Sequence, residues 1–169
     1  SGISPINAEN VADEFKSNIK MIIDGGKSKI GIESTVVDLT SKPKILRPGI
    51  ISHILINKAL NLKIKPSNKS RKIKSPGMFK RHYSPGIPMF LNHNSVVTKH
   101  AFITFGNKFL NKKNYFNLSK KANLNEAASN LYEILRKIKK LKYKRIYVSK
   151  IPNKGVGIAI NDRLKRAAY

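Results

Sequence analysis

The hydrophobic positions near the start of the chain predict one amphipathic helix. Asn7 is a residue type that caps helices, because its side chain accepts a backbone hydrogen bond. The apolar positions that follow have helical spacing: Val11, Phe15, Ile19 and Ile22. Gly25 and Gly26 come directly after Asp24 and can end a helix. We therefore predict a helix from about Asn7 to Asp24.

Two β-branched stretches follow and predict a hairpin. The first, KIGIESTVVDL, predicts a strand from Ile30 to Leu39, and the second, KILRPG, predicts a strand that ends at Pro48 and Gly49. A short turn separates them, so we expect them to pair. A second helix is predicted over residues 51–60, with Ile54 and Leu55 facing inward.

A different pattern begins at Met89. Four short apolar stretches, MFLNH, AFITF, NYFNL and RIYVS, predict strands. Leu124 to Leu141 predicts a strongly amphipathic helix, and Ile158 to Tyr169 predicts a closing helix. The buried face of the longer helix is predicted to hold Ala128, Leu131, Leu135 and Ile138. Strands that alternate with helices indicate a parallel sheet.

Residues 61–88 separate these two patterns. They are rich in charge and proline and poor in apolar residues, which is typical of a linker or an extended surface segment. We therefore predict three parts: residues 1–60, a linker at 61–88, and a domain at 89–169. The first part makes a thin core for its size, so it resembles the end of a larger domain.

Charge divides the chain in the same way. The net charge of the 169 residues is +25, yet residues 1–49 hold seven Lys and Arg against six Asp and Glu. Residues 50–169 hold 27 Lys and Arg against three Asp and Glu. Such an excess favours a polyanionic partner such as tRNA or double-stranded RNA. The alternative is compositional bias, because the chain is rich in Lys, Ile and Asn throughout.

Other features of composition limit the classes of function. The chain has no Cys, which excludes disulfides, Cys-ligated zinc and a thiol nucleophile. No apolar run reaches the roughly 20 residues of a membrane span, so no membrane association is expected. The start lacks the pattern of a signal peptide, and we expect a cytoplasmic protein. The spacing of the His residues predicts no metal site, and no hydrolase triad is recognisable.

Three polar groups interrupt the predicted elements and are candidates for binding. Ser34 and Thr35 follow Glu33 in an apolar stretch, which indicates either an edge strand that faces water or a polar pocket. Arg47 precedes a rigid Pro-Gly turn, where it can either bind phosphate in a bidentate fork or form a surface ion pair. FKRHYSP, at residues 79–85, is either a solvated basic linker or a stiffened functional loop.

Five stretches occur in the same order in a known family: SGISPINAENV, IIDGGKSKIGIESTVVDL, ILRPGII, SPGMFKRHYSP and GVGIAINDRLKRAA. With them, the chain resembles the two-domain threonylcarbamoyl-AMP synthases, whose catalytic domain is YrdC-like. The stretches span nearly the whole chain. SPGMFKRHYSP is the most specific, because single-domain members of the family lack it.

The resemblance implies an α/β fold in three pieces. These are the carboxyl-terminal part of a twisted YrdC-like α/β domain, a Pro-rich linker, and a small parallel-sheet Rossmann-like domain. It implies a nucleotidyltransferase that makes threonylcarbamoyl-AMP and pyrophosphate from L-threonine, bicarbonate and ATP, with Mg²⁺ accompanying the ATP. The product serves the t6A modification of tRNA.

The resemblance also implies roles for individual residues. Ser34, with Thr35 beside it, would contact threonine, and Arg47 would hold nucleotide phosphate. A lid over the active site would be formed by Arg81, His82 and Tyr83. Such chemistry depends on positioning and on neutralising phosphate charge, so it requires no covalent intermediate. We therefore assign neither a catalytic residue nor a metal ligand.

One part of the family pattern is missing. The family's catalytic domain also has a Lys-x-Arg pair and a Ser-x-Asn motif, which the matching stretches do not include. We therefore expect the amino-terminal part of the catalytic domain to be lacking and this chain alone to be inactive. The alternative function is a basic RNA- or tRNA-binding module that retains a vestigial catalytic remnant.

Overall fold

The computed structural model describes residues 2–64, 82–109 and 112–169. Most of the predicted linker therefore lies outside the described residues. The described elements, in chain order, are α1 (Ala8–Phe15), a 3-10 turn (Lys16–Asn18), β1 (Val36–Asp38), β2 (Lys44–Arg47), α2 (His53–Leu60), β3 (Met89–Leu91), β4 (Ala101–Thr104), β5 (Tyr115–Asn117), α3 (Leu124–Lys140), β6 (Ile146–Val148) and α4 (Gly157–Ala168).

The first helix is capped as predicted but is shorter than predicted. The Asn7 side chain accepts the backbone N–H of Asn10 at 2.9 Å. The α-helix ends at Phe15, because Lys16 takes a left-handed φ of +49°, and the 3-10 turn follows. The predicted continuation of the helix to Asp24 is therefore wrong.

The predicted hairpin is confirmed, although its first strand is short. β1 and β2 pair antiparallel, with Val36 opposite Arg47 and a register shift directly after Val36. The predicted start at Ile30 is wrong, because the chain before β1 packs onto α3 instead of extending. Gly31 makes this close approach: its φ is +76°, and a Cβ built there would lie 2.6 Å from the Ser129 Cα.

The second helix forms where it is predicted, but the side chains of two of its residues face solvent and not the core. Ser52 caps α2 by accepting the N–H of Leu55 at 3.3 Å. Ile54 and Leu55 were expected to face inward, yet they are 63% and 58% exposed. That prediction is wrong, because the described residues place no packing layer over this side of α2.

The predicted parallel sheet is confirmed. Its four strands run in the order β3-β6-β4-β5, and every neighbouring pair is parallel. α3 confirms the predicted long helix and buries all four predicted positions, together with Ala127 and Tyr132. α4 confirms the closing helix and contacts both β3 and α3. One cluster joins these helices to one face of the sheet.

We call the four-stranded sheet with α3 and α4, residues 89–168, the sheet domain. Its core also contains residues from earlier in the chain. Ile3, Ile6 and Ile32 are each less than 9% exposed, and Tyr83 is 1% exposed; all four belong to the same cluster. The start of the chain therefore docks on α3 and α4. The boundaries predicted at residues 60 and 88 remain predictions.

No helix among the described residues is long and apolar enough to cross a membrane.

Candidate functional site

Arg47 and Ser34 meet at the open end of the hairpin. Arg47 leaves the end of β2, and its Nε donates to the Ser34 carbonyl oxygen at 3.1 Å. Its Nη2 donates to the Ser34 hydroxyl at 3.3 Å. Two bonds to one residue fix the plane of the guanidinium beside an exposed hydroxyl. The structure thus brings together two of the residues that the sequence singles out.

Thr35 is held by the turn that follows β2. Its hydroxyl donates to the Ile51 carbonyl oxygen at 2.6 Å, so that hydroxyl hydrogen is already engaged. Gly49 packs directly on this backbone, and a Cβ built there would lie 2.3 Å from the Thr35 nitrogen. Only glycine fits at this position without displacing the backbone around Ser34 and Thr35.

Glu33, the residue before Ser34, is the centre of a buried polar network. Its carboxylate accepts from the Ser4 hydroxyl at 2.5 Å and from the Tyr132 hydroxyl at 2.9 Å and 3.0 Å. It also accepts from Arg163 Nε at 2.8 Å. Arg163 is 1% exposed and is paired in addition with Asp162 at 2.9 Å. Glu33 therefore links the Ser34 backbone to α3 and α4.

The network fixes the protonation states of Glu33 and Tyr132. Burial would raise the pKa of Glu33, but the Ser4 hydrogen bond and the charge of Arg163 outweigh it, so that pKa is lowered. Burial, together with the Glu33 charge, raises the pKa of Tyr132 far above its usual value. Glu33 thus stays ionised while Tyr132 stays a hydrogen-bond donor, which is the combination that the geometry requires.

Tyr83 contacts this network and lies within the electrostatic influence of Arg47. Its ring is 5.8 Å from that of Tyr132 and 5.1 Å from the Arg163 guanidinium carbon. Burial raises the pKa of its hydroxyl, and the charges of Arg163 and Arg47 oppose part of that rise. The hydroxyl is buried without a well-formed hydrogen bond. Its backbone is also unusual, with a φ of +63°.

His82 is pinned beside Tyr83. Its backbone N–H donates to the Arg166 carbonyl oxygen at 3.2 Å, and its ring centre lies 3.9 Å from that of Tyr83. Burial lowers the pKa of His82, although the Glu33 charge opposes this. The imidazole is therefore biased toward its neutral form. Arg81, the third residue of the predicted lid, lies outside the described residues.

The structure thus groups Ser34, Arg47 and Tyr83, and it adds residues that the sequence did not single out. Arg163 and Tyr132 lie about a hundred residues or more beyond Glu33 in the chain, and their contacts depend on tertiary docking. The only available signal was the apolar setting of Glu33, which requires buried partners. Among the described residues, no group of three or more His, Asp or Glu could hold a metal ion.

Family models match both parts of the chain. The model described as "Threonylcarbamoyl-AMP synthase, C-terminal domain" matches residues 50–169. A second model, described as "Telomere recombination", matches residues 1–49.

Curated relatives agree with these matches. The chain is 32% identical to the threonylcarbamoyl-AMP synthase of Pyrococcus abyssi, over 98% of this chain and 54% of the relative. It is 31% identical to that of Bacillus subtilis, over 98% of this chain and 53% of the relative. The chain therefore spans about half the length of the curated relatives it matches.

Solved structures show the same likeness. The crystal structure of P. abyssi Sua5 complexed with L-threonine has a TM-score of 0.83 at 30% identity, covering 99% of this chain and 54% of that one. A structure of a P. abyssi Sua5 variant, in which a neighbouring His and Tyr are both replaced by Ala, has a TM-score of 0.80 at 28% identity, with the same coverage.

Proposed function

This chain belongs to the threonylcarbamoyl-AMP synthase family, and on that premise we propose that it supplies the carboxyl-terminal part of such an enzyme. The reaction is the formation of threonylcarbamoyl-AMP and pyrophosphate from L-threonine, bicarbonate and ATP. The product would serve tRNA modification in the cytoplasm. The chain would provide one side of the active site, and the remainder would come from the half of the relatives that it does not match.

The single observation that carries this proposal is the corner formed by Ser34 and Arg47. A planar guanidinium held by two hydrogen bonds, beside an exposed hydroxyl, suits a ligand that has both a polar amino-acid group and a phosphate. Support also comes from the related P. abyssi Sua5 structure, which is complexed with L-threonine. We assign the threonine contact to Ser34, with Thr35 shaping the adjacent backbone, and the phosphate contact to Arg47.

The chemistry explains why the corner needs no nucleophile. The threonine amine and bicarbonate combine to a carbamate with loss of water, and a carbamate oxygen then attacks the α-phosphorus of ATP. Pyrophosphate leaves as the new P–O bond forms. The protein must hold the reactants in line and neutralise phosphate charge. Arg47 does the second, and a fixed Ser34 contributes to the first.

The Glu33 network gives the sheet domain a part in this site. Glu33 ties the backbone just before Ser34 to Arg163 and Tyr132, which belong to α4 and α3. Tyr83 packs on the same two side chains. We propose that the sheet domain fixes the threonine corner and the covering residues relative to each other.

The lid assignment remains part of this proposal. His82 and Tyr83 form the chain's only adjacent His-Tyr pair, and one related structure carries Ala at a neighbouring His and Tyr. We propose that these two residues, together with Arg81, close over the bound nucleotide and exclude water. Unchanged turnover on replacing Tyr83 by Ala in a complete enzyme would return this segment to the role of a tether.

Magnesium would enter with ATP. Among the described residues, no group of three or more His, Asp or Glu could hold a metal ion, and we derive no step from Mg²⁺.

The test is pyrophosphate release from ATP that depends on L-threonine and bicarbonate. The protein is a chimera in which the unmatched amino-terminal part of the P. abyssi relative precedes this chain. We expect activity in the chimera, none in the 169-residue chain, and a loss of at least about 100-fold in the Arg47→Ala chimera.

The matched control is Lys44→Ala, which removes an exposed cation from the same strand and should leave the rate within about twofold. Release by the 169-residue chain alone, or full activity of the Arg47→Ala chimera, would contradict the proposal.

A further inference from the structure

An aromatic row crosses the sheet on the face opposite the helices. Its members sit at one register across the four strands: Phe90 on β3, Tyr147 on β6, Phe102 on β4 and Tyr115 on β5. Neighbouring positions in each strand belong to the core under α3 and α4, for example Met89 and Ile146. Because side chains alternate along a strand, the row lies on the other face.

Two rings of this aromatic row, Phe90 and Tyr147, stack at an exposed edge of the sheet, whereas Phe102 and Tyr115 meet edge to face. Phe90 and Tyr147 have ring centres 5.0 Å apart and an interplanar angle of 21°. His100 extends the stack on the other side of Tyr147, at 5.7 Å and 29°. β3 is an edge strand, and its Phe90 is 39% exposed. Another planar ring can therefore be added next to Phe90 without disturbing the core.

Cations line the edge of the sheet directly beside the aromatic row. The strands are parallel, so their amino ends share one edge, and the row lies at or one residue inside that edge. The residues just before β4, β5 and β6 include five exposed cations: Lys99, Lys112, Lys113, Lys144 and Arg145. One of them, Lys112, has its Nζ 5.5 Å from the centre of the Tyr115 ring. We call this set the cationic edge.

The acidic residues of this region all lie on the other side. Residues 89–169 contain 18 Lys and Arg but only Glu126, Glu133 and Asp162 as acids. All three are in α3 or α4, and each already has a partner: Ser119, Lys27 and Arg163, respectively. No Asp or Glu side chain of residues 89–169 therefore lies on the strands that carry the aromatic row.

We propose that the aromatic row and the cationic edge bind single-stranded RNA, with a base stacked on Phe90 and phosphates along the cationic edge. Stacking on aromatic rings beside a positive groove is how single strands are held without a requirement for sequence. RNA is the ligand of choice because its loops present unpaired bases in the cell, whereas DNA is mostly duplex. This site is separate from the Ser34–Arg47 corner and does not depend on the proposed catalysis.

The test uses the full chain and a fluorescently labelled oligoadenylate RNA of about 12 nucleotides, within the usual range of single-strand site sizes. Anisotropy titrations at several salt concentrations give the affinity. We expect binding that weakens steeply with salt, and Phe90→Leu to weaken it about tenfold at fixed salt. Leu keeps the apolar volume but cannot stack, so the fold should persist.

Phe15→Leu is the matched control. Phe15 is 44% exposed, like Phe90, but lies on α1 and is not a member of the aromatic row. It should change the affinity by less than about twofold. Lys112→Gln should lower the slope of log affinity against log salt by about one. Circular dichroism on each variant checks that the fold is kept.

A second measurement does not need a variant. An oligoadenylate that carries one 2-aminopurine should lose fluorescence on binding, because stacking quenches that base. Three results would overturn the proposal: equal affinity of Phe90→Leu and the unaltered chain, equal affinity for an RNA duplex of the same length, and an unquenched 2-aminopurine in the complex. Equal affinity for the matching DNA strand would overturn the choice of RNA.

Discussion

Residues 2–64 and residues 89–169 bury their apolar side chains to very different extents. α3 buries six residues, whereas α1 and α2 bury none. Among the residues that the structure describes, 14 large hydrophobic residues are exposed; ten of them lie in residues 2–64, and Ile23, at 88%, is the most exposed. In a protein, a helix is stabilised mainly by packing of its apolar face. Region 89–169 therefore supplies most of the core, whereas region 2–64 adds only a few residues to it.

The difference shows how the first region is held. It touches the sheet domain through a few buried residues, namely Ile3, Ile6, Ile32 and the Glu33 carboxylate. An ion pair between Lys27 and Glu133 and a hydrogen bond of 2.5 Å from Arg136 to the Ile3 carbonyl oxygen add to these contacts. The sheet domain thus holds in place a region that has little core of its own.

The largest expected effect comes from breaking the Glu33 network. Arg163→Met leaves Glu33 without its cation, and removing one partner of a buried pair costs about 3–5 kcal/mol of unfolding free energy. Urea denaturation measures this. Lys27→Met breaks the exposed pair with Glu133, whose side chains are 45% and 56% exposed, and should cost under about 1 kcal/mol. Similar losses in both variants would show that Glu33 is not the principal link.

The next effect compares one kind of substitution in the two regions. Leu131→Ala in α3 removes a fully buried side chain and should cost about 3 kcal/mol, because it leaves a cavity. Leu55→Ala in α2 removes a side chain that is 58% exposed and should change stability by less than about 0.5 kcal/mol. Both changes can be measured by the same urea titration. A large loss for Leu55→Ala would mean that α2 is packed in solution.

A smaller effect tests the docking of the segment before β1. Gly31→Ala places a Cβ 2.6 Å from the Ser129 backbone at a φ of +76°, so the segment must move away from α3. We expect a loss of about 2 kcal/mol. Gly25→Ala is the control, because a Cβ there meets nothing within 4 Å and φ is not positive. If both variants melt at the same temperature, residue 31 does not dock on α3.

The smallest effect is on the pH dependence of stability. The pKa of Glu33 is lowered in the folded state, so its contribution is present above its ordinary pKa of 4.5 and is lost as pH falls through the lower folded value. The pKa of His82 is also lowered in the folded state, so as pH falls below 6.5 the imidazole of the unfolded chain is protonated before that of the folded chain. Both shifts predict lower stability in acid. Glu33→Gln should make the free energy of unfolding depend less on pH below pH 4.5. An unchanged pH dependence in that range would contradict the lowered pKa of Glu33.

The sequence predicted the sheet domain well because its signals are local. The periodic apolar face of α3 and the β-branched strands report burial within one element. The positions of Ile54 and Leu55 were mispredicted for a related reason. Helical periodicity identifies an apolar face, but whether anything covers that face depends on parts of the molecule that the period does not encode.

The candidate site was less predictable. Ser34 and Arg47 stood out because polar residues interrupt strand patterns, but Glu33 pairs with residues 99 and 130 positions away. Such contacts depend on how domains dock. The aromatic row was missed for the same reason, since its four members come from four strands and no local stretch contains two of them. The Glu33 contacts and the aromatic row both arise from tertiary packing.

Amide hydrogen exchange on the full chain tests the central claim most directly, namely that the well-packed sheet domain holds the sparsely packed region 2–64 through Glu33. We expect amides of β4, β6 and α3 to exchange only through global unfolding, and those of α1 and α2 to exchange orders of magnitude faster. In Arg163→Met, we expect the amides around Glu33 and Tyr83 to lose protection while those of β4 keep theirs. Equal protection of α1, α2 and α3 in the unaltered chain would contradict the account.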